Sequence, residues 1–155
     1  MLDVKIKLLI DGAKIPTKGT NESAGYDLYA PQDFDVKKGR QVMPLGFAME
    51  IPKQYYAIIK PRSGNSLKGI EGVTMSLLNG KEFKERCDAD VYDGIIDSDY
   101  RKVVGILLHS NVEFTIKKGM RIAQMLFQRY EDVHFVECDS LSETNRDGGF
   151  GSTGV

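Results

Sequence analysis

The sequence predicts an all-β domain, a sandwich or barrel assembled from many short strands. Short apolar runs recur at regular spacing along the 155 residues, and nearly every run is bounded by Gly, Pro, Asp or Asn. Outside the middle of the chain, no stretch carries an apolar stripe at helical spacing. The length fits one hydrophobic core, so we expect residues 1–155 to form a single domain. The apolar runs are 26–30, 41–51, 55–60, 103–109, 112–116, 122–130 and 133–137.

Composition narrows the possible functions. A formal net charge of −1 lacks the broad basic footprint of a nucleic-acid binder, so we expect no nucleic-acid partner and only local phosphate binding. Charges interrupt the N-terminal apolar segment, which is too short to span a membrane, so we expect no membrane association and a cytoplasmic protein of a cell or an infected host. Cys87 and Cys138 lack metal-site spacing and are expected to be reduced thiols. His109 and His134 have no third metal ligand near them in the sequence.

The first elements follow from local patterns. Near the N terminus, apolar residues occupy alternate positions, which predicts an amphipathic or edge strand over Val4, Ile6, Leu8 and Ile10. Residues 11–22 are polar and contain Gly and Pro, so they are predicted to form a loop. The highly charged stretch 81–90 is compatible with either a short helix or a surface excursion.

The stretch Asp-Gly-Ile-Ile-Asp-Ser-Asp-Tyr-Arg at 93–101 is the first candidate for chemistry. It predicts a strand, a polar turn and a second strand. Alternation places Asp97 and Asp99 on one face of an extended segment, with Tyr100 just beyond them. Taken alone, the pattern is typical of an acidic hairpin turn whose side chains bond their own backbone.

Two other stretches supply a carboxylate and a possible anion cradle. At 24–28, a turn of small residues places Asp27 at the head of a strand, where it could also be an ordinary turn residue. At 61–64, a guanidinium, a hydroxyl and an accessible backbone N–H come from Arg62, Ser63 and Gly64. A serine that caps a short helix explains the same pattern equally well.

The last two stretches lie near the C terminus. In the strand predicted within 118–128, alternation places Arg121 and Gln124 on opposite faces. The glycine-rich tail, 145–155, offers backbone N–H groups, hydroxyls, Arg146 and the ring of Phe150. Such a tail is either disordered or a flap that closes over a flat ring. Together the five stretches describe a site for a nucleoside polyphosphate.

In this order, the five stretches closely resemble the five signature motifs of the trimeric deoxyuridine triphosphatases (dUTPases). The resemblance implies a jelly-roll-like β-subunit, at most one short helix after the second motif, and a mobile flap at 145–155. It also implies a homotrimer whose sites are shared between subunits. The implied reaction is Mg2+-dependent hydrolysis of dUTP to dUMP and pyrophosphate, which keeps uracil out of DNA and supplies dUMP for thymidylate synthesis.

The resemblance also assigns roles to individual residues. Asp97 would activate the attacking water, Arg146 would contact the terminal phosphate, and Asp27 would hold Mg2+ through a water molecule. Tyr100 would pack under the deoxyribose and exclude a 2′-hydroxyl, and Phe150 would close over uracil. The other substrate-binding residues would be Arg62, Ser63, Gly64 and Gln124 at the phosphates, Gly94, Ile95 and Gly105 at uracil, and Gly151, Ser152 and Thr153 in the flap.

Three local departures from the family pattern stand out. Lys102 occupies a position where most relatives have Gly, and Met120 occupies one where they have Asp. The spacing between Arg146 and Phe150 is one residue shorter than usual. These departures bear on the shape of the third motif, on a contact between subunits and on the reach of the arginine.

A fourth departure is an insertion between the second and third motifs. The spacing from Ser63 to Asp97 is much longer than in the family, which places the additional residues within 74–92. Because this segment precedes the third motif, we expect a surface excursion near the mouth of the site. It could tune access or bind a protein partner.

Two alternative functions remain open at this point. A dCTP deaminase shares the fold, and a regulatory protein could keep the scaffold and act through the insertion. The tail with Arg146 and Phe150 and the run 96–100 favour the triphosphatase over the deaminase. Ammonia release from dCTP would identify a deaminase, and nucleotide binding with little turnover would identify a regulatory protein.

Overall fold

The computed structural model describes residues 1–76, 78 and 80–145. These residues form fourteen β-strands and one short α-helix, which confirms the predicted all-β class. In chain order the elements are β1 (Lys5–Leu8), β2 (Thr17–Lys18), β3 (Tyr26–Tyr29), β4 (Phe34–Val36), β5 (Gly39–Pro44), β6 (Phe47–Glu50), β7 (Tyr55–Pro61), α1 (Ser63–Lys68), β8 (Ile70–Met75), β9 (Glu82–Cys87), β10 (Ala89–Tyr92), β11 (Gly94–Ile96), β12 (Gly105–Ser110), β13 (Phe114–Ile116) and β14 (Arg121–Arg129).

The strands pair across large sequence distances, as in a jelly-roll-like fold. The largest sheet has the order β11-β7-β14-β3-β2, and a second has the order β4-β13-β8-β9. A third sheet has the order β10-β12-β5, and β1 pairs with β6. Each pairing is antiparallel. The first motif lies on β3 and the fourth on β14, so the two motifs are on neighbouring strands.

One hydrophobic core joins all four sheets. On β12, Ile106 and Leu108 are 0% and 1% exposed, whereas the intervening Leu107 is exposed, as the two-residue period of a strand requires. Each sheet contributes buried side chains to the same cluster, among them Leu28, Met43, Phe47, Ile70 and Phe114. Full burial of one such side chain contributes about 1.5–3 kcal/mol, so the shared core holds the site-bearing strands in fixed register.

The strands on either side of Asp97 do not form the expected hairpin. β11 pairs with β7, whereas β12 pairs with β5 and β10 in a different sheet. The prediction of a polar turn between them is confirmed, since the Tyr100 N–H donates to the Asp97 carbonyl at 3.1 Å. The connection is a loop between sheets because each apolar strand finds longer partners elsewhere.

The charged stretch 81–90 is not helical. β9 pairs with β8 along its whole length, and the Ser76 N–H donates to the Lys81 carbonyl at 2.9 Å across the connecting turn. β10 pairs with β12, so the segment ends inside the core at Cys87, Ala89 and Val91. A short-helix interpretation of this stretch is therefore wrong, because cross-strand pairing with β8 outweighs its helix-compatible composition.

The final apolar run, 133–137, also differs from expectation. It forms no strand, and Phe135 is 89% exposed. A strand requires a neighbour that accepts its backbone hydrogen bonds, and the described part of the chain provides none for this segment.

Cys87 is a buried free thiol and Cys138 an exposed one. Among the described residues, no helix is long and apolar enough to cross a membrane.

Candidate active site

Asp27 is the buried centre of an ionic cluster. It lies on β3 between β2 and β14 and is only 9% exposed. Its Oδ1 accepts a hydrogen bond from Nε of Arg62 at 2.9 Å, and its Oδ2 accepts one from Nη1 of Arg121 at 3.2 Å. One carboxylate thus fixes two guanidinium groups, and charge-assisted bonds of this kind are stronger than neutral ones.

The second motif begins where β7 ends. Arg62 is the extended residue before α1, with φ −85° and ψ 136°. The next two residues, Ser63 and Gly64, are exposed, and a Cβ on Gly64 would meet no atom within 4 Å. The approach to this turn is therefore open, as contact with a ligand requires.

Gln124 joins the first, second and fourth motifs. Its Nε2 donates to the Pro61 carbonyl at 2.9 Å, and its backbone lies opposite Asp27 in the ladder between β3 and β14. A Cβ on Gly25 would lie 2.4 Å from Oε1 of Gln124, so any larger residue would displace the Gln124 amide from this position. Gly25 is a positioning residue that the sequence pattern contained but did not explain.

Arg121 is a site residue that alternation did not identify. Strict alternation predicts that Arg121 and Gln124 face opposite sides, but the ladder with β3 shifts register between Arg121 and Ala123. A bulge of this kind adds one residue to one strand and reverses the side on which the following residues point. Both side chains consequently line the same cavity. Two adjacent fully buried residues, Ile122 and Ala123, mark the bulge.

This cavity, called the arginine cavity below, has a volume of about 440 Å3 and is lined by five of the sequence-predicted site residues. These are Asp27, Arg62, Ser63, Gly64 and Gln124. With the additional Arg121 it combines two guanidiniums, a hydroxyl and an amide around one carboxylate. This composition suits a polyanionic ligand such as a chain of phosphates.

A second cavity surrounds the loop of the third motif. Its volume is about 450 Å3, and it is lined by Tyr56, Ile95, Asp97, Ser98, Asp99 and Tyr130. Ile95 is 63% exposed and Asp97 is exposed as well. The hydroxyl of Tyr100 donates to the Val103 carbonyl at 3.1 Å, which ties the ring to its own loop and fixes the face that it presents.

The two glycines predicted to read uracil begin different strands. Gly94 begins β11, where a Cβ would meet nothing within 4 Å. Gly105 begins β12, where a Cβ would lie 2.5 Å from Cγ1 of Val42. Gly94 is thus open to a ligand, whereas Gly105 is needed for the close packing of β12 on β5.

The two cavities lie at opposite ends of β7. Ile96 is paired with Ala57, so Asp97 follows at the level of Tyr56, whereas Arg62 lies beyond the other end of the same strand. The six positions from Tyr56 to Arg62 span about 20 Å at a rise of about 3.3 Å per residue. One chain therefore does not bring Asp97 to the arginine cluster.

The remaining predicted residues and departures are placed as follows. Arg146, Phe150, Gly151, Ser152 and Thr153 lie outside the described residues. Lys102 is exposed in the loop before β12. Met120 packs partly against the core, and its carbonyl accepts the Ala30 N–H at 2.9 Å. Residues 1–76, 78 and 80–145 contain no group of three or more His, Cys, Asp or Glu side chains that could hold a metal ion.

The fold and the arginine cavity define an all-β protein with a cavity whose composition suits a phosphorylated ligand. Comparison with known proteins gives the particular family. The family model for dUTPase matches residues 11–82 and 75–154, and the overlap of the two segments falls at the turn between β8 and β9. The chain belongs to the dUTPase family.

Curated relatives agree with this assignment, and solved structures agree with the fold. The deoxyuridine 5′-triphosphate nucleotidohydrolase of Arabidopsis thaliana is 41% identical over 155 residues, covering 97% of this chain and 82% of the relative. That of Vaccinia virus (strain Copenhagen) is 40% identical over 147 residues, covering 92% and 87%. The structure of a dUTPase of Staphylococcus bacteriophage 80alpha with dUpNHpp has a TM-score of 0.79 at 22% identity and covers 99% of both chains. The dUTPase of phage phi11 of S. aureus, described with a structural Mg(II) ion, has a TM-score of 0.73 at 17% identity and covers 89% of this chain and 97% of the other.

Proposed function

We propose that the protein hydrolyses dUTP to dUMP and pyrophosphate by attack of an Asp97-activated water on the α-phosphate, at sites completed by neighbouring copies. The dUTP diphosphatase activity follows from the family and from relatives that carry this name at about 40% identity. The observation that carries the polyphosphate part of the proposal is the cavity in which Asp27 holds Arg62 and Arg121 beside Ser63 and Gln124.

The arginine cavity is suited to the triphosphate. Arg62 and Arg121 offer planar guanidinium groups that match phosphate oxygens, and Ser63 adds a hydroxyl at the open turn. When the bond between the α-phosphorus and the bridging oxygen breaks, negative charge grows on the departing pyrophosphate. Fixed guanidiniums stabilise that charge without further reorganisation, which is a major source of catalysis in such sites.

The third-motif loop is suited to the nucleoside and the water. Asp97 is exposed and accepts a proton from a water whose oxygen attacks the α-phosphorus, a contribution of about 10²- to 10⁴-fold. Gly94 and Ile95 present an accessible backbone and side chain to uracil, and Tyr100 presents its ring to the deoxyribose. A 2′-hydroxyl or a 5-methyl group would need room that a close-fitting loop does not provide, so we expect discrimination against UTP and dTTP.

The residues fit Mg2+ held through water. Mg2+ in nucleotide sites commonly keeps several waters and uses one or two carboxylates together with substrate phosphates. Both Asp27 oxygens already accept a guanidinium bond, and each retains a lone pair for a water. When bound, the ion would neutralise charge on the phosphate oxygens. Asp27 would orient one of its waters while holding the two arginines in place.

A homotrimer with shared sites is part of the proposal. The separation of Asp97 from Arg62 along β7 supports it, because the two halves can serve one substrate only if they come from different copies. The run at 133–137 supports it further, because Val133, Phe135 and Val136 are exposed apolar side chains that a neighbouring copy would cover. The tail would then close over the substrate as a flap, with Arg146, Phe150, Gly151, Ser152 and Thr153.

We place the reaction in the cytoplasm.

The test is pyrophosphate release from dUTP, dTTP, dCTP and UTP, measured in parallel with Mg2+ and with EDTA. We expect release from dUTP alone, abolished by EDTA. Ammonia release from dCTP would overturn the proposal in favour of a deaminase. Tight binding of dUTP without turnover would overturn it in favour of a regulatory protein.

A further inference from the structure

The hairpin formed by β8 and β9 contacts the helix of the second motif. Gly69, which ends α1, has φ 78°, and a Cβ at this position would lie 2.3 Å from the Cys87 carbonyl oxygen. The end of α1 is therefore seated directly on the backbone of β9. The hairpin extends into 74–92, where the sequence predicts an insertion between the second and third motifs, so this predicted insertion touches the arginine side of the site.

Arg86 is the side chain through which the contact is made. Its Nη1 donates to the Gly69 carbonyl at 3.2 Å and to Oδ1 of Asn65 at 3.4 Å. Its Nη2 lies 3.7 Å from Oε2 of Glu71, on the paired strand β8. Because the Arg86 side chain is 45% exposed, we expect its effect to come from geometry more than from the strength of the ion pair.

Asn65 continues the connection into the fourth motif. It is only 8% exposed, and its Nδ2 donates to the Ile122 carbonyl at 2.9 Å. Its own N–H donates to the Arg62 carbonyl at 2.9 Å. Ile122 is adjacent to Arg121, so one buried amide connects the segments that carry both arginines of the cluster. Arg86 donates a hydrogen bond to Oδ1 of the same Asn65 amide.

A cavity of about 380 Å3 lies between these groups and is lined by Arg62, Asn65, Glu71, Arg86 and Arg121, among others. Arg62 and Arg121 also line the arginine cavity. The two arginines therefore form a wall between the arginine cavity and the hairpin. A change in the position of α1 would move this wall, and small displacements of positioning groups carry large kinetic costs.

We propose that Arg86 is a positioning residue for the polyphosphate: it holds α1 against β14 through Asn65 and Gly69, and thereby fixes the Arg62–Ser63 turn. This inference rests on the proposed function for its kinetic consequence. Its structural consequence, ordering of α1, is independent of catalysis. The predicted insertion between the second and third motifs thus acts on Arg62 and Arg121 from the side of the hairpin, opposite the arginine cavity.

The test compares Arg86→Ala with Lys84→Ala. Lys84 lies on the same face of β9 two residues away, and its side chain makes no hydrogen bond or ion pair within the described chain, so it is a matched control. For Arg86→Ala we expect amide hydrogen exchange in 63–69 to rise by about tenfold or more. We also expect affinity for the non-hydrolysable analogue dUpNHpp to fall about tenfold, while affinity for dUMP stays within twofold. Lys84→Ala should behave as the wild type.

Arg86→Lys adds a second readout. A lysine keeps the charge but cannot bridge Asn65 and Gly69 with a planar fork, so we expect it to restore only part of the lost analogue affinity. Unchanged exchange in 63–69 for Arg86→Ala would overturn the proposal, and so would equal losses of dUpNHpp and dUMP affinity. Absence of dUTP turnover in the wild type would refute the proposed function instead, and the exchange measurement would still decide the role of Arg86.

Discussion

Asp27 sets the electrostatics of the arginine cavity. Its single negative charge lies between the guanidiniums of Arg62 and Arg121, so the cluster keeps a net positive charge of one. Without the carboxylate, two like charges would face each other in a half-buried site and separate. Asp27 therefore serves the site twice, because it orients both arginines and leaves them attractive to an anion.

Cys87 provides a prediction at the level of one residue. Burial, with a smaller contribution from the charge of Glu85, raises the pKa of the Cys87 thiol from 9.0 to about 11. Its thiolate at pH 8 is therefore about a hundredfold rarer than that of an ordinary thiol, and the thiolate is the reactive species. We expect a thiol reagent at pH 8 to modify Cys138 rapidly and Cys87 only after unfolding.

The control for this prediction is Cys138→Ser, which should leave the folded protein nearly unreactive. Linkage gives a second readout: the raised pKa contributes stability that is present below pH 9.0 and is lost as the pH rises through about 11. Rapid modification of Cys87 in the folded Cys138→Ser variant would contradict the buried position of β9's last residue.

Arg121 shows why part of the site escaped prediction from sequence. The order of the five motifs and their resemblance to the family were sufficient to identify Asp27, Arg62, Ser63 and Gln124 as candidates. Arg121 was placed on the wrong face because alternation assumes an unbroken ladder. A bulge depends on pairing with a distant strand, here β3, and no local pattern specifies it.

At the scale of elements, packing of β8 on β13 depends on Gly72. A Cβ at this position would lie 2.1 Å from Cδ2 of Phe114, whose side chain is 5% exposed. We therefore expect Gly72→Ala to lower the free energy of unfolding by about 1–3 kcal/mol through overpacking. Urea denaturation monitored by circular dichroism measures the change.

A double-mutant cycle separates this clash from the general cost of altering a strand. Phe114→Leu removes the ring that the new methyl group would meet, so the alanine should cost less in that background than in the wild type. Equal costs in the two backgrounds would show that the ring does not hold β8 in place.

The element assignments divide according to whether a predicted run pairs as its local sequence suggests. Short apolar runs with turn residues at their ends were sufficient for the all-β class and for most strands. The run 133–137 and the sequence around Asp97 misled because a strand is defined by its partner. The partner of β11 is β7, far away in sequence, and the described residues contain no partner for 133–137.

For the whole molecule, the separation of the two half-sites is the main consequence of the fold. The Asp97 loop and the arginine cluster occupy opposite ends of one strand, about 20 Å apart by strand geometry. Copies related by rotation can bring unlike ends together, as closed oligomers do. A chain that folded correctly and stayed monomeric should therefore be inactive.

Mixed oligomers test this arrangement directly. Asp97→Asn removes the proposed base for the attacking water, and Arg62→Gln removes a proposed phosphate contact, so each variant alone should have little activity. When the two are refolded together in equal amounts, about one site in four receives an intact Asp97 loop from one copy and an intact arginine cluster from another. We expect dUTP turnover to recover to about that fraction of the wild-type rate.

The complementary mixture combines wild-type chains with chains that carry both substitutions. If each site draws its halves from two copies, random mixing in equal amounts leaves about one site in four intact, whereas a site within one chain would leave about one in two. Differently tagged chains, captured through both tags from a separate portion of each mixture, confirm that mixed oligomers formed, and activity is measured on the unselected mixture. No recovery in the first mixture together with half activity in the second would show that Asp97 and Arg62 of one chain meet. That result would require the loop after β11 to leave the position that pairing of Ile96 with Ala57 gives it.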